Sequence, residues 1–191
     1  CKPLPHSNFE WVTEDDLAHF REDPAHILAL DDEGDVGYVF EVDLDYPPEI
    51  HASTADFPLA PDHLCVTECM LSPFMKEYYT EQMEGQSGKR KPYKGARKLA
   101  MTQYDRKGYV VHYSILKFYL RMGMVLRDIR RGMSFRQEKW LEPYIRSNSE
   151  RRARSQNAFE KDYYKLKNNA LFGKTMEDVR KRTKYHLVTD E

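Results

Sequence analysis

The chain has 191 residues, 40% of them hydrophobic and 13% aromatic, which excludes a disordered polypeptide and allows one or two domains with a real core. No apolar run is long enough to span a bilayer and no signal peptide is read, so no membrane is expected as a partner. The net charge of −1 hides an asymmetry: residues 1–64 carry 2 Lys/Arg against 16 Asp/Glu, whereas residues 65–191 carry 28 against 15. An acidic part beside a basic part suits a site that gathers cations on one side and phosphates on the other; it equally suits two parts that attract each other.

Three cysteines, Cys1, Cys65 and Cys69, have no framework spacing and fit an intracellular, reducing compartment. His63-x-Cys65-x-x-x-Cys69 offers three zinc ligands without a fourth nearby, so half-buried thiols are expected instead. A first residue of Cys rather than Met reads as a piece of a longer product.

In chain order, Thr13-Glu-Asp-Asp16 reads as a helix start, His6, His19 and His26 as surface residues, and Asp31 to Asp35 as a turn. The turn feeds a strand over 37–46 that Pro47-Pro48 stops. Alternation puts Val39, Glu41, Asp43 and Asp45 on one face, and Tyr38, Phe40, Val42, Leu44 and Tyr46 on the other. Three carboxylates on one face repel each other; solvent at an exposed edge or a divalent cation with hard oxygen ligands would relieve that. A polar loop follows, then a helix from Ser72-Pro73 through Tyr79 and a basic loop over 85–96. Leu99 to Tyr104 and Tyr109 to Tyr113 read as a β-hairpin turning through Asp105-Arg-Lys-Gly108. Ser114 is expected to cap a helix carrying Ile115, Phe118, Tyr119 and Met122, followed by a strand over Val125 to Ile129. Trp140, Leu141, Tyr144 and Ile145 read as packing residues near a break at Pro143.

Ser147-Asn-Ser-Glu150 has the capping-box form and Gly173 the form of a helix end, so one helix is predicted between them. At roughly 100° per residue, Phe159, Tyr163, Leu166 and Ala170 fall on one side of it. Arg151, Arg154, Lys161, Lys165, Asn169 and Phe172 fall on the other. Cations one turn apart can hold a polyphosphate, with an amide and a ring where a base or sugar would follow; a solvated basic face is the plainer reading.

Lys165-x-x-x-Asn169-Ala170-x-Phe172-Gly173 resembles Lys-x-x-x-Asn-Ser-x-Tyr-Gly, motif B in the fingers of family B DNA polymerases. The run through Arg182 is most similar to the protein-primed branch of viruses and mobile elements. Ala170 and Phe172 stand where the family has Ser and Tyr; both hydroxyls are lost and the stacking ring is kept. Glu41-Val-Asp43-Leu-Asp45-Tyr46-Pro47 resembles motif A, commonly Asp-x-x-Ser-Leu-Tyr-Pro. An ungapped match puts Glu41 at the metal position, and Asp43 lies two residues on.

The resemblance implies an α+β fold: a partial polymerase palm of antiparallel strands with helical fingers and an inserted α/β subdomain. Residues 1–50 would begin the palm, 51–146 would be an insertion between the motifs, 147–182 the fingers helix and 183–191 a return strand. It implies a DNA-directed DNA polymerase segment performing nucleotidyl transfer in DNA replication. DNA template and primer, deoxynucleoside triphosphates and a priming terminal protein would be the partners. It further implies that Glu41 or Asp43 holds magnesium, two Mg²⁺ serving the complete enzyme. Tyr46 would exclude a 2′-hydroxyl, and Lys161, Lys165, Asn169 and Phe172 would take the nucleotide. The family's second metal motif, Asp-Thr-Asp, is not found in the sequence, so the segment alone is expected to be inactive. The rivals are a non-catalytic nucleic-acid-binding remnant of a mobile element, and a metal nuclease on the 41–45 carboxylates. The nuclease would want a neighbouring lysine, and only Lys2 and Arg21 are basic before residue 65.

Overall fold

A computed structural model describes residues 2–79, 95 and 97–183. The basic loop expected over 85–96 and the return strand expected over 183–191 fall almost wholly outside these residues. The chain is mixed α+β and forms two compact units: His6–Arg136, and a smaller one built around two helices after Arg136.

The larger unit is organised on β2, Val36–Asp45. Its sheet has the order β1-β6-β2-β5, with β1 at Leu4–Trp11, β5 at Arg106–His112 and β6 at Val125–Glu138. β2 runs antiparallel to both neighbours. β5 and β6 are therefore parallel to each other, and helix α4, Tyr113–Arg121, crosses between them. Both strands beside β2 thus come from within the stretch assigned to an insertion.

The alternation expected for β2 is what folds the unit. Phe40, Val42 and Leu44 are fully buried. They pack with Val111, Tyr113, Leu116 and Ile129, and with Leu17, Phe20 and Ile27 from two short helices, α1 (Glu14–Glu22) and α2 (Pro24–Leu28). Thr13 caps α1 by accepting from Asp16 N–H, and Asp23 caps α2 by accepting from Ala25 N–H. Gly132 lets β6 lie close to the core: a Cβ there would meet Phe40 Cδ1 at 2.9 Å.

Three expectations are corrected. The hairpin does not form. Residues Arg97–Ala100 (β4) pair with Asp62–Cys65 (β3), while β5 pairs with β2. Arg106 is drawn into the interior instead of standing in a turn. Helix α4 also rotates relative to its predicted face: Tyr113, Leu116, Lys117 and Tyr119 are buried, while Ile115, Phe118 and Met122 are exposed. Two polar anchors explain the rotation. Tyr113 donates to Asp31 O at 2.9 Å, and the buried Lys117 ammonium donates to Leu30 O and to Asp32 Oδ1. Finally, Trp140 and Tyr144 are exposed, and Pro143 begins a helix instead of breaking one. The helix expected after Ser72 is present over 73–79 (α3).

Not Ser114 but His112 caps α4. Its Nδ1 accepts from Ser114 Oγ at 2.8 Å and lies 3.4 Å from Ser114 N. Only the neutral ring accepts there. Burial pushes the imidazole below its ordinary range, against the opposing pull of Asp32. For a base whose folded pKa is depressed, the unfolded chain takes up the proton first, so stability falls as pH drops below about 6.5. His112→Asn keeps a capping acceptor and removes the titration. Thermal melts across that window are expected to show a shallower pH slope in His112→Asn than in the wild type; equal slopes would remove His112 from the account.

Candidate functional site

The residues that resemble motif A lie in the larger unit and those that resemble motif B in the smaller one. On β2, Glu41, Asp43 and Asp45 share the face away from the core, as alternation requires. Arginines of β6 answer their charge. Arg131 stands directly opposite Glu41 and pairs with it. Arg130 grips Asp43 with both arms of its fork, Nε to Oδ1 at 2.9 Å and Nη2 to Oδ2 at 3.0 Å. Arg127 pairs with Asp45. Two shifts in the β2–β6 register fall where β6 has one residue too many: between Arg131 and Ile129, and between Asp128 and Leu126. The extra residues are Arg130 and Arg127, so both bulges present an arginine to a β2 carboxylate.

Gly108 adds a further donor, its N–H reaching Asp43 Oδ1 at 2.7 Å from a backbone φ of +60°. Arg130 first, and this N–H second, hold the Asp43 carboxyl below the usual carboxylate range. Both Asp43 oxygens are thus engaged by donors. Among the described residues, no three acidic, histidine or cysteine side chains converge as a metal-holding group. As arranged, Glu41 and Asp43 do not fit a magnesium ion. Cys65 and Cys69 are free and exposed, not half-buried.

Tyr46 is placed differently from the sugar-facing role that the resemblance implies. The ring is in the core, 3% exposed. Its hydroxyl donates to Thr54 Oγ1 at 2.6 Å and accepts from Leu59 N at 3.1 Å, tying down the loop after β2. Its N–H donates to Asp105 Oδ1 at 2.7 Å. With Asp45, Pro47, Pro48, Gln103, Tyr104 and Asp105 it borders an open hollow, but the ring is committed to the fold.

In the smaller unit the predicted single helix is two: α5, Glu142–Arg154, and α6, Ala158–Thr175. The chain breaks at Asn157, whose extended backbone and side chain, accepting from Glu160 N at 2.8 Å, start α6 afresh. Ser147 to Glu150 lies in the middle of α5, and Gly173 inside α6. Arg151 and Arg154 therefore leave the row, which begins at Lys161. The buried side of α6 is also corrected. Asn148 Nδ2 donates to Asn168 Oδ1 at 3.0 Å, and Tyr164, Asn168 and Leu171 are half-buried. Phe159, Tyr163 and Leu166, expected to pack inward, are exposed. The turn at 155–157 lets α5 lie beside α6, which an unbroken helix would not allow.

Lys161, Lys165, Asn169 and Phe172 are all exposed on α6. Lys165 and Asn169 border one hollow together with Phe159, Asp162, Tyr163 and Leu166. Lys161 borders another, with Ser149, Arg152, Ala153 and Asn168. The two lysines of the row thus look onto different ground. Lys167 lies off the row, its Nζ 5.1 Å from the Tyr163 ring centre.

Sequence reasoning missed Arg127, Arg130 and Arg131. The signal was available: a strand reading Arg127-Asp-Ile-Arg130-Arg131 is the charge complement of one reading Glu41-Val-Asp43-Leu-Asp45. No family model, curated protein or solved structure matches the chain.

Proposed function

We propose that this chain is the motif A to motif B portion of a family B DNA-directed DNA polymerase of the protein-primed type, and that α6 takes the incoming deoxynucleoside triphosphate. The observation that carries the proposal is the exposure of Lys165 and Asn169 one turn apart on α6, bordering one hollow, in a run that continues to Phe172-Gly173. A motif A strand at the centre of an antiparallel sheet suits a palm. Template, primer and a priming protein would be the macromolecular partners. Nucleotidyl transfer of this kind uses two Mg²⁺ to stabilise the attacking and leaving oxygens. The β2 face as arranged does not fit them, so substrate binding is assigned to α6 and not to β2.

The second reading is a non-catalytic nucleic-acid-binding protein. The arginine partners on all three β2 carboxylates favour it. The two readings differ in the sign of one coupling. A polymerase segment is expected to hold a labelled primer–template duplex more tightly when the next correct deoxynucleoside triphosphate is added. A plain nucleic-acid binder is expected to show no effect, or competition for shared cations. Both bind less tightly as salt rises, because phosphate contacts release counterions. No effect of the correct nucleotide, or competition by it, would reject the polymerase reading.

A further inference from the structure

We propose that Arg127, Arg130 and Arg131 are resident counter-ions that close the β2 carboxylate face to divalent cations. This holds whether or not the chain belongs to a polymerase.

The backbone shows that the pairing is built in. Two of the three arginines stand at bulges, where β6 carries a residue more than β2. A regular ladder would have continued the alternation and brought Ile129 to the charged face in place of Arg130. With the bulges, Ile129 pairs with Val42 on the core face and is fully buried, while Arg130 reaches Asp43. The same shift sets Asp128 directly opposite Asp43, a like-charge juxtaposition that costs stability unless cations answer it. They do: Arg130 takes Asp43, and Arg21 lies 3.4 Å from Asp128.

Layering gives the closure. The carboxylate side chains of Glu41, Asp43 and Asp45 are 19%, 23% and 29% exposed; those of Arg131, Arg130 and Arg127 are 63%, 45% and 69% exposed. An ion arriving from solvent meets the guanidinium layer first. Mg²⁺ demands near-octahedral oxygen ligands and sheds its water reluctantly, so it needs carboxylate oxygens that are free to turn. Asp43 has neither oxygen free of a donor, since Arg130 holds both and Gly108 N–H shares one. A dication would also have to displace fixed positive charge from within a few ångströms, which raises its cost further.

The test uses Mn²⁺ as a paramagnetic probe and carboxyl ¹³C resonances of the 191-residue chain. In the wild type, Asp43 is expected to broaden no more than an exposed carboxylate such as Asp15. In Arg130→Gln/Arg131→Gln, Asp43 and Glu41 are expected to broaden selectively, with apparent Mn²⁺ affinity rising about tenfold, the worth of two exposed charge interactions. Selective broadening of Asp43 in the wild type, equal to that in the variant, would overturn the proposal while restoring β2 as a metal site for the polymerase reading. A second measurement needs no variant: the Asp43 titration followed with and without Mg²⁺. An unchanged curve supports closure, and a curve moved to lower pH by Mg²⁺ refutes it.

Discussion

Arg106→Ala is expected to destabilise the sheet-bearing unit by on the order of 3 kcal/mol, lowering its melting temperature by about 6–12 °C. Arg106 is 4% exposed, and its partners are backbone carbonyls and the Thr102 hydroxyl. Nε donates to Ala60 O at 2.7 Å and Nη2 to Thr102 O at 2.8 Å, while Nη1 reaches Tyr104 O. Those carbonyls belong to two separate loops, one of them passing through Ala60 at a φ of +50°. Alanine would leave several carbonyls without their donor, each costing about 1–3 kcal/mol where water cannot enter, and would also lose the packing of the stem. The loop over 102–105 in turn holds the segment that follows β2. Asp105 accepts the Tyr46 N–H, and Gln103 Nε2 donates to His51 O at 2.6 Å. Arg106→Lys keeps the charge but not the fork, so only part of the loss should return. Thermal or urea melts of the three proteins decide it; an alanine variant as stable as the wild type would mean that the loops hold themselves.

How much of this was legible in the sequence depended on whether the partners were local. β2 was readable because Phe40, Val42 and Leu44 alternate with Glu41, Asp43 and Asp45 over a full strand, and the core-facing side followed. Thr13 was readable because its cap is made three residues away. Arg106 was not: its carbonyl partners are set by the tertiary fold, and Asp105-Arg-Lys-Gly108 looks like a turn to any local rule. The first bulge in β6 shifts its alternation by one residue and the second restores it, so a period of two along that strand misassigns Arg130, Ile129 and Asp128 between them. The break before α6 had a local signal in Asn157 and Glu160, but Ser147 and Glu150 carry the same pattern one helix earlier. Choosing the earlier one fused two helices and put Arg151 and Arg154 in the row with Lys161. The spacing of Lys165 and Asn169 survived the error, because four residues along one helix remain four residues wherever the helix begins.

Lys165→Ala is expected to weaken nucleotide binding on the order of ten- to a hundredfold, the worth of charge-assisted hydrogen bonds from one ammonium to phosphate. Lys165 is exposed and shares its hollow with Asn169, so a triphosphate engaged there leaves the base near the amide. Lys161 borders a different hollow, with Arg152, and its removal should cost less than that of Lys165. On the proposed reading, DNA binding would spread over many cations of the basic part and should change only slightly with either substitution. Lys167 is the matched control, since it has the same charge on the same helix but lies over the Tyr163 ring and off the row.

The most direct measurement is therefore the affinity of a 2′-deoxynucleoside triphosphate for the wild type, Lys165→Ala and Lys167→Ala, determined side by side at one salt concentration, with duplex DNA affinity measured on the same samples. A nucleotide site on α6 predicts that Lys165→Ala loses most of the nucleotide affinity, that Lys167→Ala keeps it, and that all three hold DNA alike. Equal losses from the two lysines would contradict it, and would leave α6 as a diffuse basic surface.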